Sequence, residues 1–293
     1  MWGTVVITGG CGFIGSNVVE ALLDQKLAES IVVLDNYTSG KKENEFADER
    51  VRYVTDDTWD ILELLADVKP DIVMHFGEFS RIVTSFDQVN YVFKSNGLGT
   101  QRVCEYCVQT KAKLLYSGSS SIFGNDGEDS NLSPYAFLKK VNIQLIKNYS
   151  KWFGLSYTIC YFYNVYGPRD LDTGEYATVV AKFRKQYLAK EPRTVVCPGN
   201  QKRCFTSVFD IVSGVLLCAR LGDGDGYKLS SDDNITILAL AAMFGPEHTM
   251  VPERRGERFC SEVGTSRARD ELDFIPLHSI QAYVDDFRNK NKF

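Results

Sequence analysis

Tyr135 and Lys139 stand four residues apart behind Ser133-Pro134, at the head of a stretch whose apolar residues recur with helical spacing. Side chains at i and i+4 share one helix face, so a phenol and an ammonium lie side by side. The ammonium favours the phenolate, which is the form that can take a proton from an alcohol. The pattern Tyr-x-x-x-Lys is also common as an ordinary amphipathic pair, and its meaning depends on what else the chain carries. A third candidate precedes it. Tyr116-Ser117-Gly118-Ser119-Ser120-Ser121 closes an apolar, strand-like run, and the carboxyl ends of parallel strands face the ligand crevice. A serine hydroxyl there can donate to a substrate oxygen and pass a proton toward Tyr135.

The partner for that chemistry is written near residue 10. The run Thr4-Val5-Val6-Ile7-Thr8 breaks into Gly9-Gly10-Cys11-Gly12-Phe13-Ile14-Gly15, followed by helix-periodic Val18, Val19, Leu22 and Leu23. Gly9 permits the sharp turn, Gly12 a close approach by a pyrophosphate, and Gly15 tight packing of helix on strand, while the helix N-terminus supplies N–H donors. A second strand-like run ends at Asp35, about 20 residues beyond the last glycine, where a ribose-reading acid belongs. A carboxylate there accepts from a 2′-hydroxyl and repels a 2′-phosphate, which predicts NAD over NADP. Asn36 and Tyr37 offer no cation to reverse that choice, although Lys41 and Lys42 stand close in sequence.

Strand-like apolar runs recur at 4–8, 31–35, 71–76, 113–117 and 157–163, with helical patterns between them. Continuous hydrophobicity suits strands covered on both faces. The fold class predicted is α/β, a Rossmann-type doubly wound parallel sheet with a smaller C-terminal α/β substrate lobe. Residues 1–165 are expected to form the NAD-binding part, and 166–293 mainly the substrate lobe, with some segments returning to the first part. Within 166–293 the pattern predicts helices over 176–188, 210–221 and 235–244 and a strand over 194–197. The run Gly222-Asp223-Gly224-Asp225-Gly226 reads as a solvated turn, because its acids lack calcium-loop spacing.

The 293 residues, 44% of them hydrophobic, can bury a sizeable core. No apolar run approaches the roughly 18 residues that span a bilayer. The first strand begins too early to leave room for a signal peptide, so no membrane association and a cytoplasmic location are expected. A net charge of −5 gives no footprint for nucleic acid. The eight cysteines sit mainly among apolar neighbours, and Cys104-x-x-Cys107 falls inside a helical pattern with no second pair or nearby His, so no metal site is expected.

With these motifs the chain resembles an extended short-chain dehydrogenase/reductase of the nucleotide-sugar epimerase/dehydratase family. The matching pieces are residues 8–16, Asp35, His75, Asn96, the Ser119, Tyr135 and Lys139 set, residues 163–169, Arg203 and residues 254–257. The resemblance implies that Tyr135 takes a proton from a sugar hydroxyl while hydride passes to the nicotinamide. It implies that Lys139 also binds the nicotinamide ribose and that Ser119 is the proton-handling hydroxyl. Further cofactor contacts are expected at Phe13, Ile14, Asn36, Asp56 or Asp57, Phe76, Gly77 and Tyr163. A nucleotide-diphosphate sugar is the implied substrate, held by Asn164 and Arg203 with Arg254 or Arg255 on the nucleotide. A planar guanidinium fork suits phosphate oxygens in an acidic chain. Helical patterns near 86–109 and 135–152 match the elements that build a helical interface in this family, which implies a homodimer.

Two departures narrow the reaction. Family 4,6-dehydratases follow the catalytic Ser/Thr with Asp-Glu, whereas this chain has Ser120 and Ser121. Hydroxyls lack the acid–base range of carboxyls, which argues against elimination and leaves Ser120 as a sugar contact. After His75 the family has small apolar residues, whereas this chain has Phe76-Gly77-Glu78-Phe79-Ser80-Arg81. Glu78 and Arg81 either pair with each other, shape substrate choice, or supply a missing acid. The reading that follows is a 4-epimerase working by transient C4 oxidation and re-reduction. The alternatives are a C4 dehydrogenase, decarboxylase or dehydratase of the same family, and, from another class, a non-catalytic NAD-binding regulatory protein.

Overall fold

The structure, a computed structural model, describes residues 1–123, 133–172, 177–253 and 266–291. The first apolar run forms β1 (Trp2–Thr8), and beyond the glycine turn come α1 (Phe13–Asp24), β2 (Ala28–Leu34), β3 (Val51–Val54), a short α2 (Ile61–Leu64) and β4 (Ile72–His75). A broken helical stretch follows: α3 (Val89–Val92), a π-helical segment over Phe93–Leu98, and α4 (Gly99–Thr110). The chain then runs through β5 (Lys113–Ser119), α5 (Pro134–Phe153) and β6 (Tyr157–Phe162).

The remaining elements are β7 (Val165–Tyr166), α6 (Val179–Leu188), β8 (Arg193–Val196), β9 (Lys202–Cys204), β10 (Thr206–Ser207), α7 (Val208–Leu221), β11 (Gly224–Leu229), β12 (Asn234–Thr236), α8 (Ile237–Phe244), β13 (His248–Val251), α9 (Arg267–Leu272) and α10 (Ile280–Lys290). Seven strands form one sheet in the order β3-β2-β1-β4-β5-β6-β11, and every pairing is parallel. The strand order reverses between β1 and β4, and the carboxyl ends on either side of such a reversal open a crevice for ligands.

Alternate residues of β1 serve the two faces. Val5 and Ile7 join Val18, Leu22, Val215 and Phe274 in one core, and Val6 joins Val103, Tyr106, Ile143 and Ile146 in the other. Both faces are therefore roofed by helices, which is why the strands are apolar throughout. A third core, with Phe183, Val195, Phe205, Leu240, Phe244 and Val284, gathers elements from beyond β6. No helix among the described residues is long and apolar enough to cross a membrane.

Three expectations change. The 222–226 run is not a solvated turn: β11 begins at Gly224 and adds the last strand to the sheet. Its acid is engaged, since Asp225 accepts from Tyr161 and pairs with Lys147, and Arg267 binds the carbonyls of Asp223 and Asp225. β3 had no apolar run to announce it, because as a sheet edge its four residues are only partly covered. The 86–109 helix is interrupted by the π-helical segment. Cys104 and Cys107 face the core with burial raising both thiols, and no metal-holding cluster occurs among the described residues.

Candidate active site

A cavity of about 540 Å³ opens at the carboxyl ends of the strands. Gly9, Gly12, Phe13, Ile14, Gly15, Asp35, Asn36, Asp56, Asp57, Phe76 and Gly77 line it, together with Glu78, Ser119, Ser120, Tyr135, Lys139, Asn164 and Arg203. Of the expected site residues, Tyr163 does not line it: the residue is fully buried within the core beside β6. The resemblance implied a cofactor contact for it, but its ring packs in the core on the sheet. Arg254 and Arg255 lie outside the described residues.

The glycine turn fits a dinucleotide. Gly9 has φ +69°, and a Cβ on Gly15 would stand 2.1 Å from the Gly9 carbonyl oxygen, so α1 can start this close to β1 only without side chains. The N-cap Gly12 offers no side-chain cap, which leaves the helix N-terminus to a ligand's anionic group. Asp35 is buried at the end of β2 and accepts from the N–H groups of Cys11 at 2.8 Å and Tyr37 at 2.9 Å. Burial raises its carboxyl above the usual range against the pull of those donors. Lys41 and Lys42 do not wait for a 2′-phosphate: they pair with Asp172 at 3.6 Å and Glu45 at 2.9 Å. Next to Asp35, the Asn36 amide donates to Asp57 and to the Tyr91 hydroxyl.

The reactive pair is carried by α5. Ser133 caps the helix by accepting from Ala136 N–H at 3.1 Å, and Pro134 sits in the first turn with its fixed φ. This start puts Tyr135 and Lys139 on the buried, cavity-facing side. Across from them, Ser119 ends β5 and its hydroxyl accepts from Ser121 N–H at 3.2 Å. The Ser121 hydroxyl is buried and unpartnered among the described residues, also at the cavity wall. Asn164 donates to the Cys204 carbonyl at 3.0 Å, and Arg203 to the Lys202 carbonyl at 2.9 Å.

Glu78 takes Lys139 as its partner, not Arg81. The two side chains are 1% and 5% exposed and form a buried ion pair, and Lys139 also donates to the Ser117 carbonyl. Glu78 further accepts from Thr100 at 2.7 Å, Asn142 at 2.8 Å and the Tyr116 hydroxyl at 3.1 Å. Burial alone would raise its carboxyl, but Lys139 and these donors outweigh it and hold the group below the usual range. Asn96 fixes the loop that presents Glu78: its amide accepts from Phe79 N–H at 2.7 Å and donates to the Phe79 carbonyl at 2.8 Å. The π-helical turn aims the Asn96 carbonyl at Asn142, 2.9 Å away. Asn142 was the member missed in the sequence, although it lies seven residues beyond Tyr135 on the same helix face.

His75, wholly buried at the end of β4, contacts the hydroxyls of Thr8 at 2.6 Å and Thr100 at 3.0 Å. Burial, opposed by Glu78 and assisted by Lys139, pushes the imidazole from 6.5 down to about 4. The unfolded chain binds that proton near 6.5 and the folded chain only near 4, so the contribution of His75 to stability is full above 6.5 and is lost as pH falls toward 4. His75→Gln should flatten the loss of stability on acidification below pH 6.5, read as urea midpoints. A slope equal to that of the wild type would contradict a neutral, buried imidazole.

The sequence model of the NAD dependent epimerase/dehydratase family matches residues 5–229. The UDP-glucose 4-epimerase of Mycolicibacterium smegmatis is 29% identical over 98% of this chain and 99% of its own. UDP-glucuronic acid decarboxylase 1 of Arabidopsis thaliana is 26% identical over 98% of this chain and 70% of its own. Among solved structures, the Thermus thermophilus UDP-glucose 4-epimerase in complex with NAD superimposes with a TM-score of 0.85 at 27% identity, covering 97% of this chain and 99% of that one.

Proposed function

The chain belongs to the NAD-dependent epimerase/dehydratase family, and from that premise we propose that it is a nucleotide-sugar 4-epimerase. When bound, NAD supplies a hydride acceptor that can return the hydride. Tyr135, as phenolate beside the Lys139 ammonium, takes the proton of the C4 hydroxyl and later gives it back. Ser119 donates to the same oxygen and bridges it to Tyr135. Asp35 reads the adenosine ribose, and the α1 N-terminus takes the pyrophosphate. Asn164 and Arg203 hold the sugar diphosphate from the other wall.

The observation that carries epimerisation over elimination is the state of the carboxylates. Among the described residues lining the cavity these are Asp35, Asp56 and Asp57, on the β2–β3 side, and Glu78. Glu78 is buried and already bound by Lys139, Thr100, Asn142 and Tyr116, which hold its carboxyl below the usual range, so it is committed to those partners and ill suited to protonate a leaving hydroxyl. Ser120 and Ser121 occupy the places after Ser119 where a dehydratase carries acids. Screening UDP-, GDP- and dTDP-sugars by NMR and mass spectrometry tests the reading. An isomer of unchanged mass without accumulating NADH supports it, while loss of carbon dioxide or of water assigns the chain to another branch of the family.

The apolar surface fits a homodimer. Val89 on α3, Phe93 and Leu98 on the π-helical segment, and Phe137, Val141, Trp152 and Phe153 on α5 are all exposed, and joining two copies over these helices would cover them. Cys11, Cys104, Cys107, Cys160, Cys197 and Cys218 are free thiols, which fits a reducing setting.

A further inference from the structure

Glu78, buried at the cavity wall and paired with Lys139, is a charged group that the proposed reaction does not use. Removing one partner of such a buried pair leaves an uncompensated charge, and this pair adjoins the proposed base. An ammonium has three donors. In Lys139 one goes to Glu78 and one to the Ser117 carbonyl, and its charge also lies 4.7 Å from the centre of the Tyr116 ring. Two of its donors are therefore committed before any ligand enters.

We propose that Glu78 is a positioning residue for the catalytic pair: it anchors Lys139 and offsets its charge, so the pH at which Tyr135 becomes a phenolate is set by three side chains rather than two. The inference rests on the reading of Tyr135 as the base. The titratable groups that face Glu78 are His75 from β4, Tyr116 from β5, Cys104 from α4, and Lys139 from α5, where Tyr135 also lies. Burial keeps His75 neutral down to about pH 4, holds the Cys104 thiol up at about 12, and holds Tyr116 well above the usual phenol range. Among these groups Glu78 and Lys139 therefore carry the charge at neutral pH, and they cancel. A lone ammonium would pull a neighbouring phenol toward ionisation, and the carboxylate removes much of that pull.

Several elements together fix where the carboxylate sits. Asn96 locks both backbone groups of Phe79, Thr100 and Asn142 orient one Glu78 oxygen, and Lys139 takes the other. Converting Glu78→Gln keeps an amide oxygen as an acceptor and removes the charge. Lys139 retains the Ser117 carbonyl, the Tyr116 ring and its side toward the cavity.

The test reads the phenolate itself. The near-ultraviolet tyrosinate signal of the NAD-bound protein is titrated with pH, and the same titration of the matching Tyr135→Phe protein is subtracted to isolate Tyr135. In Glu78→Gln the half-point should fall by about one pH unit relative to wild type. Glu78→Asp, which sets the charge back from Lys139, should give a smaller shift in the same direction, and it carries the test alone if the Gln protein does not fold. A half-point that stays in place or rises in the folded variants overturns the proposal. No turnover is needed, so a chain that proved inactive on every nucleotide sugar would overturn the proposed function and leave this result to be judged separately.

Discussion

Tyr135→Phe is expected to lower turnover by about a thousandfold, within the usual contribution of a positioned general acid–base, while NAD content changes little. The phenyl ring fills the same buried space, and α5 keeps its register because the Ser133 cap and the Lys139–Glu78 pair hold it independently of the hydroxyl. The glycine turn and Asp35 are contributed by β1, α1 and β2, and none of them touches the altered atom. Steady-state rates beside the NAD content of the purified protein check this. Turnover within tenfold of wild type would remove Tyr135 from the reaction, and lost NAD would show that the hydroxyl serves structure instead.

The second large effect belongs to Gly15. A methyl group there would stand 2.1 Å from the Gly9 carbonyl oxygen and 2.8 Å from Gly10 Cα. These are backbone atoms, so no side-chain rotation relieves the clash, and the turn must open. Opening it swings the N-terminus of α1 away from the crevice, and Gly15→Ala should weaken NAD binding by roughly a hundredfold, ~2.7 kcal/mol. Gly154→Ala is the control. Its Cβ would meet nothing within 4 Å, although φ is +72°, so it should cost about 1 kcal/mol of stability and leave NAD affinity alone. Isothermal titration with NAD separates the two, and equal affinities for the two variants would contradict the tight turn as the pyrophosphate site.

The parts of this fold that were legible in the sequence are those dictated by local chemistry. Buried parallel strands must be apolar on both faces, so β1, β2, β4, β5 and β6 announced themselves. The glycine turn was legible because backbone contact at Gly15 excludes every other residue. The edge strands were harder. β3 lacks a second neighbour, and β11 hides behind Asp223 and Asp225, whose partners Lys147, Tyr161 and Arg267 come from distant segments. Long-range pairing likewise decided the role of Glu78. A sequence places Arg81 three residues away and Lys139 sixty-one away, and only the packing of α5 against the β4 loop makes Lys139 the partner. Tyr163 shows a related limit, since a motif match does not say which face a ring takes, and this one is buried in the core.

The proposed 4-epimerase reaction requires one carbon to be oxidised and re-reduced inside the cavity by the same bound cofactor. The most direct measurement follows a nucleotide sugar deuterated at C4, beginning with UDP-glucose, through turnover by the purified protein, with the product read by NMR and mass spectrometry. A 4-epimerase gives the C4 epimer at unchanged mass with deuterium still on C4. Deuterium found on free cofactor, or a product lighter by carbon dioxide or water, would contradict it.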